Sequence, residues 1–332
     1  MIKKSLLATL FATLCCSVAT TAFAQEEPLQ GVGTSLLNSA NPRAAGMGMA
    51  TTAVSDNAFG IFGNAAVNLS SEKRMGFGYS YNPVMPEFSK GQTTHAVGGY
   101  FNIDKNNGLS IGFRYYTGDE MALAGGDNTA LGNVRAGDMA ISLAYTRRIV
   151  DNFSMSLTAR YINTNYNKPV EGFKAGNAVA FDLGFYYYNK IESFFGSKWA
   201  VGLNVSNFGT KLDVTTISNP GTMPAYANLG GSIDMPFSEN HKLLAALDLG
   251  YTFMPSTDAA FAAGFGLEYN FLKYGIIRAG YHYGDEKAIG GSYATFGLGV
   301  KAGPVRVDAS YWLAGSDSPV KNTWAVGVSV LF

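Results

Sequence analysis

TWAVGVSVLF, running from Thr323 to Phe332, alternates without interruption. Trp324, Val326, Val328, Val330 and Phe332 share one phase, and Ala325, Gly327 and Ser329 share the other. A strand sends successive side chains to opposite faces, so this segment has one wholly apolar face and one face of small or polar groups. Which medium covers the apolar face is the question that decides the fold.

The same period of two runs back through the chain. Leu109, Ile111, Phe113 and Tyr115 oppose Ser110, Gly112 and Arg114; Met139, Ile141, Leu143 and Tyr145 oppose Asp138, Ala140 and Ser142. Val179, Phe181, Leu183 and Phe185 oppose Ala180, Asp182 and Gly184, and Val305, Val307, Ala309 and Tyr311 oppose Arg306, Asp308 and Ser310. Fourteen such segments begin near Met75, Thr94, Leu109, Met139, Phe153, Val179, Trp199, Ala225, Leu243, Phe261, Ile276, Tyr293, Val305 and Trp324. An even number suits a closed antiparallel barrel, as do connections that alternate between tight and long. The tight ones include Asp104 to Asn107, Val150 to Asn152, Leu272 to Tyr274 and Ala302 to Pro304; Gly118 to Val134 and Gly209 to Pro224 are expected to be long outer loops.

A soluble β-sandwich also alternates, so the contents of the two faces must separate the possibilities. Arg114, Asp138, Arg160, Asp182, Asp248, Glu268, Arg278, Lys301, Arg306 and Asp308 all fall in the non-apolar phase. Glycine and alanine crowd that same phase, which suits a filled barrel interior better than a water-washed sheet. Trp199, Tyr251, Tyr269, Tyr281, Tyr311 and Trp324 lie toward segment ends, where interfacial aromatic girdles belong. The expected fold is therefore all-β: a transmembrane antiparallel barrel of about fourteen strands. Its closing strand must pair with the first so that no backbone group is left unbonded in hydrocarbon.

The N-terminus agrees with that compartment. Lys3 and Lys4 precede an apolar run from Leu6 to Val18, and Ala22-Phe23-Ala24 forms a small-x-small cleavage site, the pattern of a secretory signal peptide over residues 1–24. Cys15 and Cys16 leave with it, so the exported chain has no disulfide to rely on. Removing Lys3 and Lys4 from 24 basic residues set against 24 acidic ones leaves a net charge of −2, and no basic patch marks a nucleic-acid partner.

Between the signal and the barrel, which spans residues 72–332, the segment 25–71 loses the alternation. NPRAAGMGMATTAVSDNAFGIFGNAAVNLS, from Asn41 to Ser70, is too apolar for a free tail and too irregular for a strand. It is expected to fold inside the lumen as a hatch. Five basic and five acidic lumen residues would pair with one another and with the hatch, with Arg43 finding a carboxylate and Asn64 satisfying exposed backbone groups.

Arg43-Ala44-Ala45-Gly46-Met47-Gly48, then Asp56-Asn57-Ala58 and Asn64-Ala65-Ala66, resemble the hatch of the PorV/PorQ and FadL-like outer-membrane proteins, which reads approximately A-R-A-x-G-M-G-x-A, D-x-A and W-N-P-A. Asn207-Phe208-Gly209 ahead of Pro224 and Leu229-Gly230 is similar to a second motif of that family. Ala65 stands where the family has proline, and Gly63 where it has an aromatic. The terminal Phe332 also resembles the signal by which bacterial outer-membrane barrels are recognised for insertion. The resemblance places the protein in the outer membrane of a Gram-negative bacterium, in contact with its lipid. It implies hatch residues Asn41, Arg43, Gly46, Gly48, Asp56 and Asn64.

The resemblance implies two functions. A PorV-like barrel would handle secreted cargo or dock type IX secretion components through its outer loops, with Met121 and Leu123 among the contacts. A FadL-like one would pass hydrophobic small molecules through an apolar pocket running from the outer loops to the hatch. An enzyme is not supported: His95, His241 and His282 are scattered, no metal-ligand spacing is present, and Gly46-Met47-Gly48 lacks the strand-then-helix setting of a nucleotide loop. For lumen carboxylates such as Asp248 and Glu268, salt bridging is the better reading, and no cofactor is implied.

Overall fold

The computed structural model describes residues 33–87, 89–124, 130–167, 172–192, 194, 196–216, 219–256, 259–285 and 290–332. The signal-peptide segment 1–24 and the start of the hatch lie outside them. Fourteen antiparallel strands follow one another as a meander: β1 (Met75–Pro83), β2 (Thr93–Asn102), β3 (Asn107–Ala124), β4 (Ala130–Val150), β5 (Phe153–Tyr166), β6 (Gly176–Ile191), β7 (Ser197–Gly209), β8 (Ala225–Ser238), β9 (His241–Met254), β10 (Ala260–Phe271), β11 (Gly275–Gly284), β12 (Tyr293–Ala302), β13 (Val305–Ala314) and β14 (Trp324–Leu331). Each strand pairs with its neighbours in sequence, and β14 returns to β1, so the sheet is a closed barrel without edges.

Closure runs to the final residue. Tyr79 stands opposite Val328 and Phe77 opposite Val330. At the rim the Phe332 amide donates to the Met75 carbonyl at 2.8 Å, and the Met75 amide returns the bond to Phe332 at 3.1 Å. The tight turns, the start of β1 and the end of β14 lie at one end; by the rule that periplasmic turns are short, this is the periplasmic end.

Burial follows the two-residue period. On β4, Leu143 is 58% exposed while Ser142 and Ala144 are buried, and on β12 Leu298 is 65% exposed beside interior glycines. The exposed large hydrophobic side chains lie on strands and periplasmic turns, which makes the outer surface a continuous apolar belt. In water so large a patch would drive aggregation; in a bilayer it is the solvent match. Leu143→Arg is therefore expected to destabilise the barrel by about 2 to 4 kcal/mol near the midplane. Urea unfolding in lipid vesicles would read the loss, and an unchanged midpoint would place water against that face.

One expected loop is largely strand. Gly118 to Val134 reads as a long connection in the sequence, yet β3 continues to Ala124 and β4 starts at Ala130. After an irregularity beyond Thr117 the ladder resumes with Glu120 opposite Arg135 and Met121 opposite Val134, so the hairpin projects past the membrane. Opposite charges facing across the pair, and backbone groups that would otherwise need water, favour continued pairing. The side chains of Met121 and Leu123 lie outside the described set.

The Gly209 to Pro224 connection also differs from a free contact loop. It takes part in two isolated bridges, Thr215 with Phe173 and Leu212 with Gly221, and its described residues Leu212, Val214 and Met223 turn inward. Leu212, Val214 and Met223 are buried against Leu36, Ala140, Ile162, Ala178 and Ala180, so the loop caps part of the lumen from the outer side. Burying three aliphatic side chains there offsets the ordering of the loop.

Candidate functional site

The described part of the hatch holds a turn at Thr34–Leu37 and continues through one helical turn, α1 (Pro42–Ala45). Asn41 caps α1 by accepting from the Arg43 amide at 3.0 Å, and Pro42 supplies the fixed backbone angle of a helix start. Beyond α1 the chain runs so close to the wall that only glycine fits. A Cβ on Gly48, whose φ is +58°, would lie 2.4 Å from the Tyr281 carbonyl and 2.6 Å from that of Phe265. From the wall side, Cβ atoms on Gly264, Gly266 or Gly280 would strike the backbone of Met47 and Gly48 within 2.5 Å. The Gly48 amide donates to Thr295 Oγ1 at 2.9 Å. Gly46 packs on Gly297 with slightly more room.

The lumen charges fall into two ion-paired groups and several isolated ones. Arg43 grips Glu268 with both Nε and Nη2 at 2.8 Å, while its Nη1 donates to the Ser55 carbonyl at 2.9 Å. Arg278 bridges Glu268 and Asp308 at 2.7 Å each, and Arg306 joins Asp308 at 2.8 Å and Glu268 at 3.3 Å. In the second group Arg160 meets Asp182 at 2.6 Å and also donates to the Asn207 side chain. Asn207, at φ +61°, donates its amide to Asp182 at 2.8 Å and its side-chain Nδ2 to the Pro224 carbonyl at 3.0 Å.

The other lumen charges bond to the hatch or to neutral side chains rather than to one another. Asp248 accepts from the Thr51 and Thr52 amides at 3.0 and 2.9 Å and has no ion pair among the described residues. Asp138 accepts from the Ser35 and Thr164 hydroxyls at 2.5 and 2.6 Å. Lys301 donates to Asn270 at 2.8 Å, and Arg114 to the Leu36 carbonyl at 2.6 Å. Backbone groups of the irregular hatch compete for the wall's side chains, because a segment with few internal ladders needs donors and acceptors from elsewhere. Asn64 serves the same need, donating to the Thr52 and Phe185 carbonyls at 3.0 and 2.9 Å. Asp56 accepts from Ser71 Oγ at 2.7 Å and the Glu72 amide at 3.0 Å, tying the hatch to the start of β1.

Above the hatch the lumen holds a cavity of about 320 Å³. Hatch residues Val54, Phe59 and Phe62 form its floor, Tyr293 and Trp312 part of its wall, and Met85, Pro224 and Val320 mark its reach into the outer loops. Trp312 lies in the interior phase, is 7% exposed, donates Nε1 to the Ala45 carbonyl at 3.1 Å and stacks on Tyr293 at 4.8 Å. His282 continues the stack on Tyr293 at 4.8 Å. Sequence reasoning placed Arg114 in the lumen but did not identify the cavity, nor Asn82, Asn228 and Trp312, which also line it. A bulky indole in a phase otherwise made of small and charged residues was the available signal. Among the described residues, no group of three or more His, Cys, Asp or Glu could hold a metal ion.

Asn207 links the wall to the inward loop, and Asn207→Ala removes its bonds to Arg160 and Pro224 while placing alanine at a left-handed angle. The expected loss is about 1 to 3 kcal/mol, concentrated in the 209–224 loop. Protease should cut that loop faster than in the wild type; unchanged cleavage would mean Asn207 does not hold it.

The family model described as "Type IX secretion system protein PorV" matches residues 24–259. No curated protein matches. Solved structures with the same fold include a TodX deltaS2S3 mutant described as a monoaromatic hydrocarbon channel, with TM-score 0.61, 11% identity and coverage of 88% of this chain and 99% of that one. The Ralstonia pickettii toluene transporter TbuX gives TM-score 0.56 at 11% identity, covering 88% and 98%. A Pseudomonas aeruginosa FadL homologue gives 0.54 at 12% identity, covering 89% and 99%. At such identities these structures establish a shared architecture, the FadL-like barrel. A closed fourteen-strand barrel with an apolar belt, a plug of N-terminal chain in its lumen and a match over most of its length identify an outer-membrane protein of a Gram-negative bacterium that belongs to the PorV family of type IX secretion system proteins.

Proposed function

We infer that this barrel acts as a docking element of the type IX route, engaging secreted cargo or partner proteins at its outer end. The observation that carries the reading is the hatch, fixed to the wall by the buried Arg43, Glu268 and Arg278 network beneath a cavity that reaches the outer loops. Charge-assisted bonds of this kind are worth about 1.5 to 3 kcal/mol each, so a polypeptide passing through the lumen would first have to break several. Docking from outside needs no such rupture. The family match supports the same assignment and favours a secretion role over catalysis.

The cavity's apolar floor and aromatic wall favour a second reading, a site for hydrophobic small molecules. Structural neighbours described as a toluene transporter and as a monoaromatic hydrocarbon channel share the fold. The cavity ends on the hatch, so passage would require the hatch to rearrange. Co-purification from native outer membranes separates the two. Recovery of secreted cargo or of type IX attachment components supports docking, and recovery of a small apolar molecule alone would replace docking with transport.

A further inference from the structure

Arg114 stands on the lumen face of β3, 6% exposed, against the cavity. Its Nη1 donates to the Leu36 carbonyl at 2.6 Å and more weakly to Ser35 at 3.5 Å, and its guanidinium lies 5.0 Å over the Phe62 ring. Nε and Nη2 have no hydrogen-bond partner among the described residues, and no carboxylate there comes within ion-pairing distance. Asp182 is committed to Arg160, and Asp138 to two hydroxyls. Other bare polar groups surround the same space. Asn82 Oδ1 and Thr323 Oγ1 belong to residues 3% and 2% exposed and are without partners, and the side chains of Asn38 and Asn228 make no hydrogen bond among the described residues.

A buried cation without a counter-charge is costly, and so is each unpaired amide or hydroxyl beside it. A plain hydrocarbon filling the cavity would leave all of them unpaired. We propose that the cavity is a binding site for a carboxylate carried on an uncharged body that has hydrogen-bonding groups of its own, with Arg114 as the anchor. Nε and Nη2 would take the two carboxylate oxygens as a fork, Asn38, Asn82, Asn228 and Thr323 would pair with the polar groups of the body, and Phe59, Phe62 and Trp312 would cover its apolar faces. Both the free end of an extended polypeptide and a small organic acid carry this chemistry. The first source deepens the docking reading; the site itself does not depend on it.

The test uses the full-length barrel in lipid nanodiscs, with Trp312 emission and calorimetry as readouts. The probes are an N-acetylated Ala-Ala-Val tripeptide as the free acid, its C-terminal amide, 4-acetamidobutanoate, its primary amide, and toluene. The expected result is saturable binding of at least one acid, with its neutral counterpart weaker by about tenfold or more, as loss of one charge-assisted pair implies. Arg114→Gln and Arg114→Lys should weaken acid binding, and the probe series on the wild-type protein stands even if a variant fails to fold. Binding of the tripeptide acid alone points to a polypeptide end, and binding of 4-acetamidobutanoate alone to a small acid. Equal binding of acid and amide, or of toluene in place of both acids, or no binding of either acid, overturns the proposal. If an acid binds but native co-purification yields no cargo, the docking reading fails and the site remains; cargo recovery with neither acid bound would give the reverse.

Discussion

Glu268→Gln is expected to release the hatch from the barrel wall and to lower stability by about 3 to 5 kcal/mol. Glu268 collects Arg43 through both its oxygens, Arg278 at 2.7 Å and Arg306 at 3.3 Å. Neutralising it leaves buried Arg43 without a carboxylate and Arg278 and Arg306 sharing Asp308 alone. Removing one member of a buried ion network exposes its partners to a low dielectric without compensation, which is why the loss exceeds that of any single bond. The barrel ladders do not depend on Glu268, so the damage should be local. Limited proteolysis should cleave the variant within residues 41–71 while the strands stay protected, and the heat-induced shift in gel mobility should move to lower temperature. A hatch as resistant as in the wild type would show that the network does not hold it.

The second large effect is expected at Gly48→Ala. The residue sits at φ +58°, where an L side chain costs about 1 to 2 kcal/mol. Its Cβ would also lie 2.4 Å from one carbonyl oxygen and 2.6 Å from another. Those oxygens belong to Tyr281 and Phe265, which stand opposite each other in the β10 and β11 ladder and cannot retreat without breaking it. Overpacking adds about 1 to 3 kcal/mol, for a total of about 2 to 5 kcal/mol. Gly315→Ala is the control: no atom lies within 4 Å of its Cβ position, so the change should stay within about 0.5 kcal/mol. Equal unfolding midpoints for the two variants would mean that the hatch does not approach the wall as described.

These two positions also mark how far the residues could be read in advance. Alternation assigned Glu268 to the lumen because an ionised group on the lipid face is too costly to keep, and that reasoning needs no coordinates. It could not choose among Arg43, Arg278 and Arg306 as partners. Arg278 and Arg306 are brought to it by strand register, which depends on the turn geometry of every hairpin between, and Arg43 by the path of the hatch. Gly48 was legible as part of a glycine-rich stretch, yet the reason for glycine there is the carbonyl of a residue more than two hundred positions away. Asp248 shows the same limit from the other side: a lumen carboxylate was expected to find a cation and instead caps two backbone amides of the hatch.

The local alternation of apolar and small or charged residues, repeated fourteen times, was enough by itself to determine an outer-membrane barrel, its inner and outer faces and the position of nearly every turn. That information is local because side-chain direction repeats every second residue and hydrocarbon admits no exceptions on the face it touches. The length of the β3 and β4 hairpin, the inward fold of the 209–224 loop, the choice of ion partners and the cavity beside Arg114 were decided only by the tertiary structure. Each depends on where an irregular segment with few ladders of its own finds partners for its backbone, and those partners come from strands far away in the chain.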